Sequence, residues 1–191
     1  MTKTSIAYTA VFGTLWGLAE ATLGSVMHLI NLPLSGSVLS TVGMIIVLIA
    51  RGVNPQRGST LMMALIAAMI KIMSFATVKL GPFVGILLEG VMLEMILTIF
   101  SPNFLGFMLS GIIVSVYPLI QTLTVKTILF GADFIPVILE MAEGFSHRIG
   151  FGAGWWILGL YVSIHFVFGV GGALFAWLIK SQLNKKIINE S

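Results

Sequence analysis

Residues 6–30 read IAYTAVFGTLWGLAEATLGSVMHLI. The run is long and apolar enough to cross a bilayer, for which about 20 residues suffice. It nevertheless carries Glu20 near its middle and His28 near its end. Helical phase gathers its small residues. At about 100° per residue, Ala10, Gly13, Gly17, Ala21, Gly24 and His28 fall within about 40° of one direction, with Glu20 on the flank. A smooth stripe of this kind suits the close approach of another helix. A carboxylate at that depth needs a partner or a polar cavity. The run therefore predicts a membrane helix with neighbours on one side, and the rest of the chain has to supply them.

The composition agrees. Of the 191 residues, 58% are hydrophobic and 9% are charged, and the mean hydropathy is +1.07. Soluble domains carry about 25% charged residues. The fold class predicted is all-α integral membrane, a single transmembrane bundle over residues 1–191. A net charge of +3 fits basic cytoplasmic ends, and no basic block or RNA-binding signature argues for nucleic acid. No P-loop is present, so the chain is not itself an ATPase. Cysteine is absent, which excludes disulfides, thiolate catalysis and cysteine-ligated metals. The first apolar run exceeds a signal-peptide h-region and lacks a small-residue cleavage site, so it is read as mature helix.

Turn signals divide the chain into about six helices, over residues 6–30, 37–50, 60–78, 83–100, 104–130 and 155–179. The breaks are Asn31-Leu32-Pro33, the loop RGVNPQRGS from Arg51 to Ser59, Lys79-Leu80-Gly81-Pro82 and Ser101-Pro102-Asn103. Pro118 is expected to kink the fifth helix. Residues 131–154, GADFIPVILEMAEGFSHRIGFGAG, are too polar to span and too apolar for a plain linker. They read as an interfacial helix or a re-entrant outer flap between helices 5 and 6. The tail KSQLNKKIINES is expected to be solvated. With the N-terminus in the cytoplasm, Lys3, Arg51, Arg57, Lys180, Lys185 and Lys186 lie inside, and Lys79 and Arg148 outside. That bias predicts a multi-pass protein of the cell membrane with both termini cytoplasmic. No internal repeat argues for an inverted-repeat carrier.

The ionisable residues inside the helices carry the functional signal. Glu20, His28, Lys71, Glu89 and Lys126 come from four helices and all fall in the outer half. The inner half is nearly free of charge, which describes a bucket open to the outside rather than a through-pore. His165 shares a helical face with Tyr161, Gly169 and Gly172. Glu89 and Glu94 are five residues apart, hence about 140° apart on a helix. Glu89 is assigned to the site, and Glu94, near mid-membrane, to a helix contact or a buried pair. Glu20 with Lys71, and Glu89 with Lys126, also have the signs of structural ion pairs, while the one-sidedness of the cluster favours a ligand site. Glu and His together raise metal binding, but no H-x-x-x-H or E-x-x-H spacing occurs, and neither metal nor cofactor is expected.

About six helices in this length, cytoplasmic ends, a small-residue stripe on helix 1 and a capped outer pocket resemble one family. This is the S-components, the substrate-binding membrane subunits of energy-coupling factor (ECF) transporters, which import vitamins. In that family helix 1 carries an Ala-x-x-x-Ala pattern that docks onto a transmembrane coupling subunit. Here Ala7 is followed by Val11, and the nearest substitutes are Gly13-x-x-x-Gly17 and Ala10 with Gly13. The resemblance implies docking through Ala10, Gly13 and Gly17, with energy from two ATPase subunits. It also implies uptake of a small polar molecule, a vitamin or a vitamin-like compound, without catalysis by this chain. A self-sufficient secondary carrier or channel would need polar residues along the inner half as well. An intramembrane enzyme or assembly factor would need a catalytic set, and Ser146-His147 alone does not make one.

Overall fold

Polar breaks rich in Gly, Pro and Asn fold the chain into α1 (Lys3–Leu29), α2 (Ser35–Val53), α3 (Ser59–Met73), α4 (Leu80–Ile99), α5 (Phe104–Phe130) and α6 (Trp155–Glu190). The computed structural model describes residues 2–29, 34–74, 80–130, 140, 143–144, 146–147 and 155–190. Five of the helices are long and apolar enough to cross a membrane, while α3 is shorter, with 15 residues. The protein is an all-α, multi-pass membrane bundle.

The helix ends differ from the sequence reading where a terminal residue is better tolerated than expected. Helix α4 starts at Leu80, before Pro82 rather than after it. A proline in the first turn removes only an N–H that has no intrahelical partner. Helix α2 runs on to Val53, and the Asn54 N–H still bonds the Ala50 carbonyl at 2.8 Å. Arg51, expected in a loop, is therefore helical. Helix α6 continues through the tail to Glu190, since a solvated segment of Lys, Gln, Asn and Ile can remain helical. Most of the proposed flap, residues 131–139, 141–142, 145 and 148–154, lies outside the described residues.

Helix α2 is the axis of the bundle and touches every other helix. The others form an arc around it in the order α1, α3, α4, α5, α6. The core is made where they meet, from Trp16, Met44, Leu48, Met63, Leu93 and Phe107. The outward faces are apolar too. On α4, Val84, Leu88, Val91, Met95 and Ile99 repeat at helical spacing and are all exposed. A soluble bundle would be polar there, and a bundle in lipid has no reason to be.

The stripe on α1 is used inside the chain. A Cβ on Gly17 would lie 2.9 Å from Ile70 Cβ and 3.0 Å from Ala67 Cα, and one on Gly13 would lie 3.0 Å from Met63 Cα. Both glycines are buried against α3, while Ala10 is exposed. This corrects the expectation that Gly13 and Gly17 form a free docking surface. The buried face of α1, made by Ser5, Thr9, Trp16, Glu20, Gly13, Gly17 and Gly24, is rotated toward Glu20. Ala10 falls at its edge. Gly17→Leu is expected to cost about 1–3 kcal/mol by overpacking, whereas Ala10→Leu should leave the melting temperature in detergent within a degree or two. Equal losses for the two variants would contradict this packing.

Candidate functional site

Lys71 sits in the last turn of α3, beside Glu20 of α1. Its side chain is 1% exposed, and its Nζ lies 3.5 Å from Glu20 Oε2. It also donates a hydrogen bond to the Glu20 main-chain carbonyl. Space for the ammonium comes from Gly24, where a Cβ would stand 2.5 Å from Nζ. The glycine one turn beyond Glu20 is thus what lets a lysine from the neighbouring helix reach α1. A buried pair of this kind needs good geometry and extra hydrogen bonds to offset desolvation, and the main-chain carbonyl supplies one.

Beside the pair is a cavity of about 390 Å³. It lies where α1 and α3 end and α2 and α4 begin, closed on another side by the second half of α5. Glu20 and Lys71 form one wall. Helix α2 contributes Ser35, Gly36, Leu39 and Ser40, and α4 contributes Gly81, Pro82, Gly85, Ile86 and Glu89. Helix α5 contributes Tyr117, Gln121 and Thr122. The Tyr117 hydroxyl donates to the Gly85 carbonyl at 2.9 Å, and the Gln121 amide donates to the Gly81 carbonyl at 3.3 Å. These bonds hold α5 against the first turns of α4. Glu89 is 2% exposed, and its Oε1 has no hydrogen-bond partner.

Three residues predicted for the site, Glu20, Lys71 and Glu89, are therefore brought together. His165 is not among the lining residues. It is buried on α6, donates from Nδ1 to the Tyr161 carbonyl at 2.8 Å and packs edge-on against the Tyr161 ring. The side chains of His28 and Lys126 lie outside the described residues. Sequence reasoning missed Ser40, Tyr117 and Gln121. The signal available was the i, i+4 spacing of Tyr117 and Gln121, which puts both on one face of α5. Ser40 likewise follows Gly36 by four residues on α2, and both line the cavity.

A second buried pair occupies the opposite end of the bundle. Arg51 Nη2 lies 3.6 Å from Glu94 Oε1. The Glu94 carboxylate also accepts from the Gly58 N–H at 2.7 Å, the Thr60 N–H at 3.0 Å and the Thr98 hydroxyl at 2.8 Å. Gly58, at φ 81°, takes the left-handed conformation that turns its N–H onto the carboxylate. Glu94 thus staples the α2–α3 turn, as the helix contact or buried pair expected of it, from the second half of α4. Arg51 and Glu94 thus make a second buried charge pair, beside the turn between α2 and α3. Lys180 adds a cation at this end, donating to the Pro102 carbonyl, with Nζ 4.9 Å from the centre of the Trp177 ring.

Among the described residues no group of three or more His, Cys, Asp or Glu side chains is placed to hold a metal ion. No family model, curated protein or solved structure matches the chain.

Removing one partner of the Glu20–Lys71 pair leaves a buried charge uncompensated. Lys71→Met is expected to cost about 3–5 kcal/mol. Adding Glu20→Gln should recover most of that loss in an unfolding measurement in mixed micelles. Additive losses in the double variant would show that the pair does not interact.

Proposed function

We propose that the chain is a membrane-embedded binding subunit for uptake of a small polar molecule. The observation that carries the reading is the cavity at one end of the bundle, with Glu20, Lys71 and Glu89 in its lining. Charged groups are costly inside a membrane protein, and here those of three different helices converge on one space. The cavity volume is also within the range of small-molecule sites, about 300–1,000 Å³. At the other end Glu94 is fully engaged by its own chain. A binding site with one polar mouth suits capture better than free passage.

In this reading the cavity faces outward in the cell membrane, both termini are cytoplasmic, and the excess of Lys and Arg on the termini's side sets that orientation. Transport is completed by a coupling subunit and two ATPase subunits, as the resemblance to ECF S-components implies. Since Gly13 and Gly17 pack on α3, docking uses the exposed side of α1, where Ala10 lies between Ala7 and Thr14. The substrate is a vitamin or a compound of similar size.

Two measurements test the reading. Affinity-tagged chain purified from its native membranes is expected to bring down a membrane coupling subunit and nucleotide-binding subunits. Uptake in those cells should depend on ATP and be lost with Gly36→Trp. Gly36 is exposed at the cavity, and a Cβ there would meet only Pro118 Cβ, at 3.7 Å. The tryptophan therefore fills the mouth without breaking a helix contact. Uptake by the chain alone in liposomes, without those subunits, would make it a self-sufficient carrier and contradict the proposal.

A further inference from the structure

We infer that the ligand is an organic cation bearing N–H donors, such as an ammonium, amidinium or protonated ring nitrogen, received by Glu89. The inference rests on the cavity being a substrate site. Its basis is which charges in the lining are already matched. Lys71 is paired with Glu20 and donates to the Glu20 carbonyl, so that cation and that carboxylate answer each other. Among the described residues Glu89 has no such partner, and once ionised it is the lining carboxylate that no cation answers.

The nearby donors among the described residues do not fill that place. The Tyr117 hydroxyl proton goes to the Gly85 carbonyl, and the Gln121 amide gives one N–H to the Gly81 carbonyl and none to Glu89 Oε1. The Ser40 hydroxyl stands near Glu89 and offers one donor. A carboxylate has about four lone-pair sites, and Oε1 remains without a partner. An unpartnered acceptor in a buried wall is costly, and a donor that arrives with a ligand removes that cost. An anionic head group would meet Glu89 and Glu20 together and be repelled. A neutral donor would satisfy the oxygen but, unlike a cation, would not offset the cost of ionising a buried carboxyl. The apolar body of an organic cation is accommodated by Leu39 and Ile86 on the adjoining walls.

The test uses three planar probes of nearly equal shape and one bulkier cation on the purified full chain in micelles, with Kd read by equilibrium titration. Benzamidine is a cation with N–H donors, benzamide its neutral isostere and benzoate its anionic one. Phenyltrimethylammonium is a cation without N–H donors. Benzamidine is expected to bind at least tenfold more tightly than each of the other three. Glu89→Gln should abolish that preference, and Gly36→Trp should abolish binding. The comparison of probes on the unmodified chain stands whatever the stability of the Glu89 variant. Benzamide, benzoate or phenyltrimethylammonium binding as tightly as benzamidine, in a manner that Gly36→Trp abolishes, would overturn the cationic ligand and leave the substrate site intact. The absence of saturable benzamidine binding would also overturn it. Binding that Gly36→Trp leaves unchanged would lie outside the cavity and contradict the substrate site itself.

Discussion

The bundle depends on how a lysine and a glutamate are accommodated between α1 and α3. Glu20 sits in the middle of the buried face of α1, and Lys71 reaches it from the last turn of α3 over the bare backbone of Gly24. Neither charge is tolerable there alone. Their pairing requires α1 and α3 to lie close, and Gly13 and Gly17 permit that closeness lower on the same face. The small-residue stripe and the ion pair are thus two parts of one helix contact. Once α1 and α3 are joined, α2 is held as the axis between them and the remaining helices.

The two buried pairs show how the ends of the bundle differ. Glu94 accepts from two main-chain N–H groups and a hydroxyl besides facing Arg51, so its oxygens are committed to the α2–α3 turn. That end is fastened. At the other end the Glu20–Lys71 pair is matched, but Glu89 beside it keeps an unpartnered oxygen and shares the cavity lining with Gln121 and Tyr117. Buried polar groups are normally satisfied. Among the described buried carboxylates Glu89 is the one with an unpartnered oxygen, and it lies against the cavity, which is why the proposed function is placed at that end.

Much of this was legible from depth and helical phase. Glu20, Lys71 and Glu89 fall at similar depth in an alternating six-helix topology, and their convergence needed no knowledge of which helices are neighbours. The 140° between Glu89 and Glu94 separated them in the same way, at about 100° per residue. What phase could not tell was which helix takes up which face. The glycines of α1 look alike whether they meet α3 or another protein, because only backbone proximity is encoded by them. Arg51 was misplaced for a related reason. A charged residue beside Gly52 reads as a loop, and only Glu94, 43 positions later, makes it tolerable inside the last turn of α2. Tyr117 and Gln121 were passed over because a hydroxyl and an amide cost less in a membrane helix than a charge does. They carry a weaker signal though they line the same space.

The central claim is that water reaches a polar cavity at the end of the bundle opposite the Arg51–Glu94 pair. The chain contains no cysteine, so single cysteines report accessibility without background. The most direct measurement is the reaction of Ser40→Cys, in the cavity wall, with a membrane-impermeant methanethiosulfonate reagent added to either face of sealed vesicles. Leu88→Cys, on the neighbouring lipid-facing stripe of α4 and 48% exposed in the bundle, is the control. Ser40→Cys should react from the face opposite the α2–α3 turn and from no other, while Leu88→Cys stays unlabelled in the bilayer. A Ser40→Cys thiol as inert as that of Leu88→Cys, or one labelled from the α2–α3 face, would contradict the claim.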